Sequence, residues 1–86
     1  MITGSQIRGA RGILKLSLKD LALKSGVSLP TIQRLEQADG IPVTKIQTLS
    51  AIKIALEAGG IEFIGTPQNG AGVRFKPTEK GSWPVP

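Results

Sequence analysis

The side chains whose type and spacing point to chemistry lie between Ser17 and Glu36. Ser17, Lys19, Lys24, Ser28, Thr31, Gln33 and Arg34 fall in that stretch, and every one can donate a hydrogen bond. No nucleophile has a base beside it, because the 86-residue chain has no histidine and no cysteine. That removes the commonest general base, the commonest metal ligand and every thiolate. The six carboxylates are scattered. Gly59–Gly60 and the glycine-rich 65–72 segment read as a cap and a turn, not as a phosphate cradle. Neither an enzyme nor a cofactor or metal site is expected. Lys and Arg number 11 against 6 Asp and Glu, a net charge of +5. The expected chemistry is therefore the binding of something anionic.

The elements that must position those donors are marked by cap signals. Thr3 with Gln6 fits a capping box, followed by Ile7, Ala10, Ile13 and Leu14 as a core-facing stripe. Ser17 with Asp20 opens a second helix, which carries Leu21 and Ala22 inward and ends at Gly26. Ser28 starts a third at once, with Pro30 in its first turn and Ile32 and Leu35 inward. Asp39, Gly40 and Pro42 close it. Thr44 with Gln47 predicts a fourth helix, whose stripe is Ile46, Leu49, Ile52, Ala55 and Leu56 and whose end is Gly59–Gly60. Two strand signals follow, 61–64 and 73–76, around a turn-rich loop. A lone hairpin is marginal in water, so it needs helix four or a second subunit as a partner. The expected organisation is a helical domain over 1–60, a hairpin over 61–76 and a Pro-rich tail over 77–86 that contains Trp83. Up to residue 60 the charge is +4, eight basic groups against four acidic, so the basicity belongs to the helical part.

Two short helices and a glycine turn within twenty residues meet the needs of a helix-turn-helix. Ala22 is small enough for a close crossing. Gly26 allows the sharp bend, and Val27, Ile32 and Leu35 lock the angle from within. In such a unit the second helix enters the DNA major groove. A helical bundle without DNA function is the competing reading.

The run Leu16-Ser17-Leu18-Lys19-Asp20-Leu21-Ala22, then Gly26-Val27-Ser28, Thr31-Ile32 and Leu35-Glu36, resembles the Xre-type helix-turn-helix of lambda repressor-like regulators. The resemblance covers about residues 3–58, and the segment from Leu49 to Ile64 resembles the ending of small stand-alone bacterial or phage members. It implies a mainly α, four-helix DNA-binding domain acting as a dimer on two half-sites. Ser28, Leu29, Thr31 and Arg34, with Gln33 beside them, are then the base-facing side. Arg34 is the best donor on residue chemistry, since Arg pairs bidentately with guanine; a solvated helix residue is its other reading. Ser28 can cap the helix, donate to a phosphate, or both. Ser17, Lys19, Lys24 and Lys45 are candidates for phosphate contact, each also readable as a solvated group. The resemblance further implies an ion pair of Arg11 with Glu36, which would orient the third helix and is structural, not DNA-reading.

Two positions depart from the family pattern. Leu18 stands where many relatives carry Gln, and Leu29–Pro30 opens a helix whose start is often polar. Leu29 can meet a thymine methyl, mark weak specificity, or be covered by a partner.

Ile54 lies about 200° from Ile52 at 100° per residue, off the core stripe. Together with Ile61, Phe63, Ile64, Val73 and Phe75 it forms a candidate homodimer interface that joins helix four to the hairpin, with Ile61 and Phe63 on one hairpin face and Ile64 on the other. Leu23 is displaced in the same way. Single exposed apolar residues are also common, and a domain this small buries only about 60–65% of its unfolded surface, which favours association. No apolar run approaches the roughly 20 residues that span a bilayer and no signal peptide is evident, so a cytoplasmic location without a membrane partner is expected. The expected function is a double-stranded DNA-binding regulator, most simply a repressor. The alternatives are the antitoxin of a toxin–antitoxin pair, with a toxin as protein partner, and a protein-interaction module.

Overall fold

The computed structural model describes residues 1–76. The Pro-rich tail and Trp83 lie outside the described residues. The order is α1 (Gly4–Leu14), α2 (Leu18–Ser25), α3 (Leu29–Glu36), α4 (Ile46–Ala58), β1 (Ile61–Thr66) and β2 (Asn69–Phe75). This is a mainly helical domain with one antiparallel two-stranded hairpin. Among the described residues no helix is long and apolar enough to cross a membrane.

Local signals account for the first two helices. Thr3 and Gln6 form a reciprocal capping box, as do Ser17 and Asp20. Gly26 takes the left-handed conformation, φ 74°, and its N–H closes on the Ala22 carbonyl. Without that residue the chain could not leave α2 and enter α3 within three positions. The end of α1 is less comfortable: Lys15 itself is left-handed, φ 57°.

The core collects Ile7, Ala10 and Leu14 of α1, Leu21 of α2, Ile32 and Leu35 of α3, and Leu49, Ile52 and Leu56 of α4. Two expected core positions lie outside it. Ile13 is 43% exposed and Ile46 67%. Each sits about 120° around its helix from a fully buried isoleucine, Ile7 or Ile52, at 100° per residue, which places it at the margin of the stripe. The start of α4 also differs: its N-cap is Lys45, with no side-chain cap bond, and the Thr44–Gln47 box does not form.

The hairpin is longer than the sequence pattern predicts, and its turn shrinks to Pro67–Gln68. Pairing of Ile61 with Phe75 and of Phe63 with Val73 puts those four on one face, with Ile64 on the other. The hairpin's partners are α1 and α4 together, with β2 lying on α1 and β1 reaching α4. Gln6 binds the α1 side. Its Oε1 accepts from the Thr3 N–H (2.8 Å), while its Nε2 donates to the carbonyls of Gly72 (2.9 Å) and Ile64 (3.4 Å). One buried amide therefore caps a helix and fastens a sheet. This docking corrects the expected dimer face. Ile61 is 4% exposed and belongs to the chain's own core, and Phe63 and Val73 pack against that core. Ile64 and Phe75 stay partly exposed.

Candidate nucleic-acid interface

Helix α3 is short, eight residues, and two-sided. Ile32 and Leu35 are fully buried and Glu36 nearly so. Ser28, Gln33 and Arg34 are exposed, and Leu29 and Thr31 are half-buried beside them. The outward side therefore offers hydroxyl, amide and guanidinium groups with an apolar edge at Leu29.

Three anchors hold that side outward. The first is the pair expected between Arg11 and Glu36. The two N–H groups Nε and Nη2 of Arg11 donate to the two carboxylate oxygens of Glu36, each at 2.9 Å, while Nη1 donates to the Leu16 carbonyl at 3.0 Å. The guanidinium thus ties the end of α3 to the link between α1 and α2. The Glu36 side chain is 7% exposed and that of Arg11 23%, so the carboxylate depends on this fork. The hydrogen bond to Glu36 holds the Arg11 pKa above its ordinary value, against the opposing effect of burial. The second anchor is Arg8, which no sequence signal marks. Its guanidinium donates to the Glu36 backbone carbonyl and to Ser5 Oγ (3.3 Å). An exposed arginine on a helix carries no pattern that announces such a bond.

The third is Gly4. A Cβ there would collide with the carbonyl oxygens of Leu35 and Ala38. Glycine lets the start of α1 lie directly on the end of α3, and the Gly4 N–H reaches the Gly40 carbonyl at 3.0 Å.

Among the candidate base-facing groups, Ser28 donates its hydroxyl to Thr31 Oγ1 at 2.8 Å. It occupies the N-cap but makes no side-chain cap bond, so its capping role is backbone alone. In that arrangement the Thr31 hydroxyl keeps its own hydrogen for an outside acceptor. Arg34 Nη1 donates to the carbonyl of Val43 at 3.1 Å. One arm of the fork is held by the loop before α4, and the remaining N–H groups stay available. Gln33 points no hydrogen bond into the domain among the described residues.

The candidate phosphate contacts flank this helix in sequence. Ser17, Lys19, Lys24 and Lys45 are all exposed. Ser17 Oγ accepts from the Asp20 N–H at 2.9 Å, and its hydroxyl hydrogen turns to the Asp20 carboxylate. Asp20 accepts from the Ser17 backbone N–H, and that bond, followed by the hydroxyl contact, pulls its carboxyl below the usual range. Among the described residues no group of three or more acidic, histidine or cysteine side chains is placed to hold a metal ion.

No family model matches this sequence, and neither does any curated protein.

Proposed function

We propose that the chain is a sequence-specific double-stranded DNA-binding regulator. It is a repressor working as a dimer through an Xre-type, lambda repressor-like helix-turn-helix. The observation that supports this best is the two-sidedness of α3. Its inner side is fixed by Ile32, Leu35 and the Arg11–Glu36 fork, and its outer side carries exposed donors. A helix fixed from within, with exposed donors outward and basic groups flanking it in sequence, suits a major groove.

The roles divide by chemistry. Arg34 reads a guanine with the N–H groups that Val43 does not hold. Thr31 and Gln33 address neighbouring base edges, and Leu29 meets a thymine methyl. Lys19, Lys24 and Lys45 sit against phosphates and set the register, and Ser17 and Ser28 join them by turning their hydroxyls from Asp20 and Thr31 to a phosphate oxygen. Bound over a promoter, two such domains would block it sterically. Salt dependence tests this assignment. Three lysine contacts predict that log K falls against log salt with a slope of about −3 from these groups. Replacing Lys19, Lys24 and Lys45 together by alanine should flatten the slope by that amount. Binding that ignores salt would contradict the assignment.

A further inference from the structure

Among the described residues, one side of helix α4 has no neighbour. Ile46 is 67% exposed and Ile54 65%. With Lys45, Gln47, Ser50 and Ala51 they line an open apolar groove of about 660 Å³. It runs from Ile54 towards the start of the helix, away from Gly60 where the hairpin begins. A smaller hollow continues it past Ser50 to Met1, itself 60% exposed. We propose that this face is the self-association surface of the chain, occupied by the α4 of a second copy running antiparallel across Ser50. This deepens the dimer part of the reading above by naming the surface.

The spacing is what selects a second copy. Ile46, Ser50 and Ile54 form a ridge at i, i+4 and i+8, opposite the core stripe. The ridge is symmetric about Ser50, with a large apolar residue four positions to either side of a small one. In an antiparallel two-fold pair each residue faces the one equally far beyond Ser50 in the partner. Ile54 then packs on Ile46 of the partner subunit, and the small Ser50 lets the helices approach.

Charge agrees with that arrangement. Lys53, already 4.0 Å from Glu57, would face Gln47 of the partner subunit. Lys45 would lie within a turn of Glu57 of the partner subunit. No two lysines face each other directly: Lys45 stands opposite Ala55 of the partner subunit, two positions from both Glu57 of the partner subunit and Lys53 of the partner subunit. A parallel pairing would set Lys45 on Lys45 and Lys53 on Lys53, which is repulsive.

The test uses the full chain without DNA, so that its outcome is separate from the DNA reading. Sedimentation equilibrium should show a dimer. Ile54→Glu should weaken dimerisation at least about 100-fold, since a charge would be desolvated against Ile46 of the partner subunit. Ile46→Lys should weaken it as well. The double variant should recover most of the loss, because Glu at 54 would face Lys at 46 of the partner. The chain has no native cysteine, so Ser50→Cys supplies a single thiol. At a close helix crossing the two Cα atoms fall within the roughly 4.4–6.8 Å of a disulfide, and mild oxidation should link the protomers. Circular dichroism on each variant checks that it is folded. A wild-type monomer at 100 µM overturns the proposal and leaves the groove to another protein. A dimer indifferent to Ile54→Glu, or a double variant that stays as weak as the singles, also overturns it. Arg34→Ala should lose DNA selectivity and keep the dimer.

Discussion

Helices α3 and α4 are packed into the same core, yet they present different things to the outside. On α3 the exposed residues are Pro30, Gln33 and Arg34, with the N-cap Ser28 before them and Thr31 at the edge. On α4 they include Ile46 and Ile54. The inner sides are alike, isoleucine and leucine in both. The outer sides therefore report on partners, not on folding. Donors held out on a rigid helix suit a polar, anionic surface. Isoleucines held out around a small residue suit another apolar surface. One small domain thus carries two faces of opposite chemistry, and each can be broken without the other.

The largest effect should come from removing what fixes α3. Arg11→Ala leaves the buried Glu36 carboxylate without its fork. The expected cost is about 3 kcal/mol, a fall in melting temperature of more than about 10 °C for a domain of this size. Arg11→Lys should recover only part of that, since an ammonium cannot engage both oxygens and the Leu16 carbonyl in one plane. An unchanged melting temperature in Arg11→Ala would remove the anchor from the account.

Next in size is Arg34→Ala, which should weaken binding to a preferred site by about 2 kcal/mol, roughly 30-fold. Its melting temperature should move little, because only the bond to Val43 is lost. Equal loss on all sequences would make Arg34 a phosphate contact, not a reader. Gln6→Leu probes a region that belongs to neither face. It removes the amide that holds the Gly72 and Ile64 carbonyls and should cost about 1–2 kcal/mol. Affinity per folded molecule for DNA should stay as it was. A selective loss of DNA binding would show that the hairpin, too, takes part.

The smallest effect is the pH dependence. Asp20 is lowered by the Ser17 bonds, and Glu62 by the side-chain bond from Arg74 (2.6 Å). A depressed folded-state pKa stabilises above the unfolded value, near 4, and the contribution is lost as pH falls through the folded value. Asp20 is exposed and the Glu62 side chain is 38% exposed, so the loss should be shallow. Thermal melts below pH 4 should show it, and Asp20→Asn with Glu62→Gln should reduce it. A steeper acid transition in that double variant would contradict the assignment.

What the sequence made legible was local. The two capping boxes, the Gly26 turn and the inward residues of α3 each depend on neighbours within four positions. What it hid was long-range. Nothing local tells that Gly4 must lack a Cβ, since the colliding carbonyls lie more than thirty residues away. The second role of Gln6 depends on strands that far exceed its own helix in sequence distance. Ile13 and Ile46 matched an apolar stripe at its margin, and only the packing decides which margin is covered. The hairpin's apolar residues looked available for a partner because a strand shows no sign of which helix it will lie on. Of the candidate DNA-facing residues, exposure follows the helix period. The bonds of Arg34 to Val43 and of Arg8 to the Glu36 carbonyl carry no such sign.

The central claim, that α3 is a DNA-reading helix, is tested most directly by selection from a pool of random duplexes on the purified full chain. A two-fold symmetric motif with half-sites about one helical turn apart should be enriched, and Arg34→Ala should abolish that enrichment. A pool that emerges without any enriched sequence would contradict it.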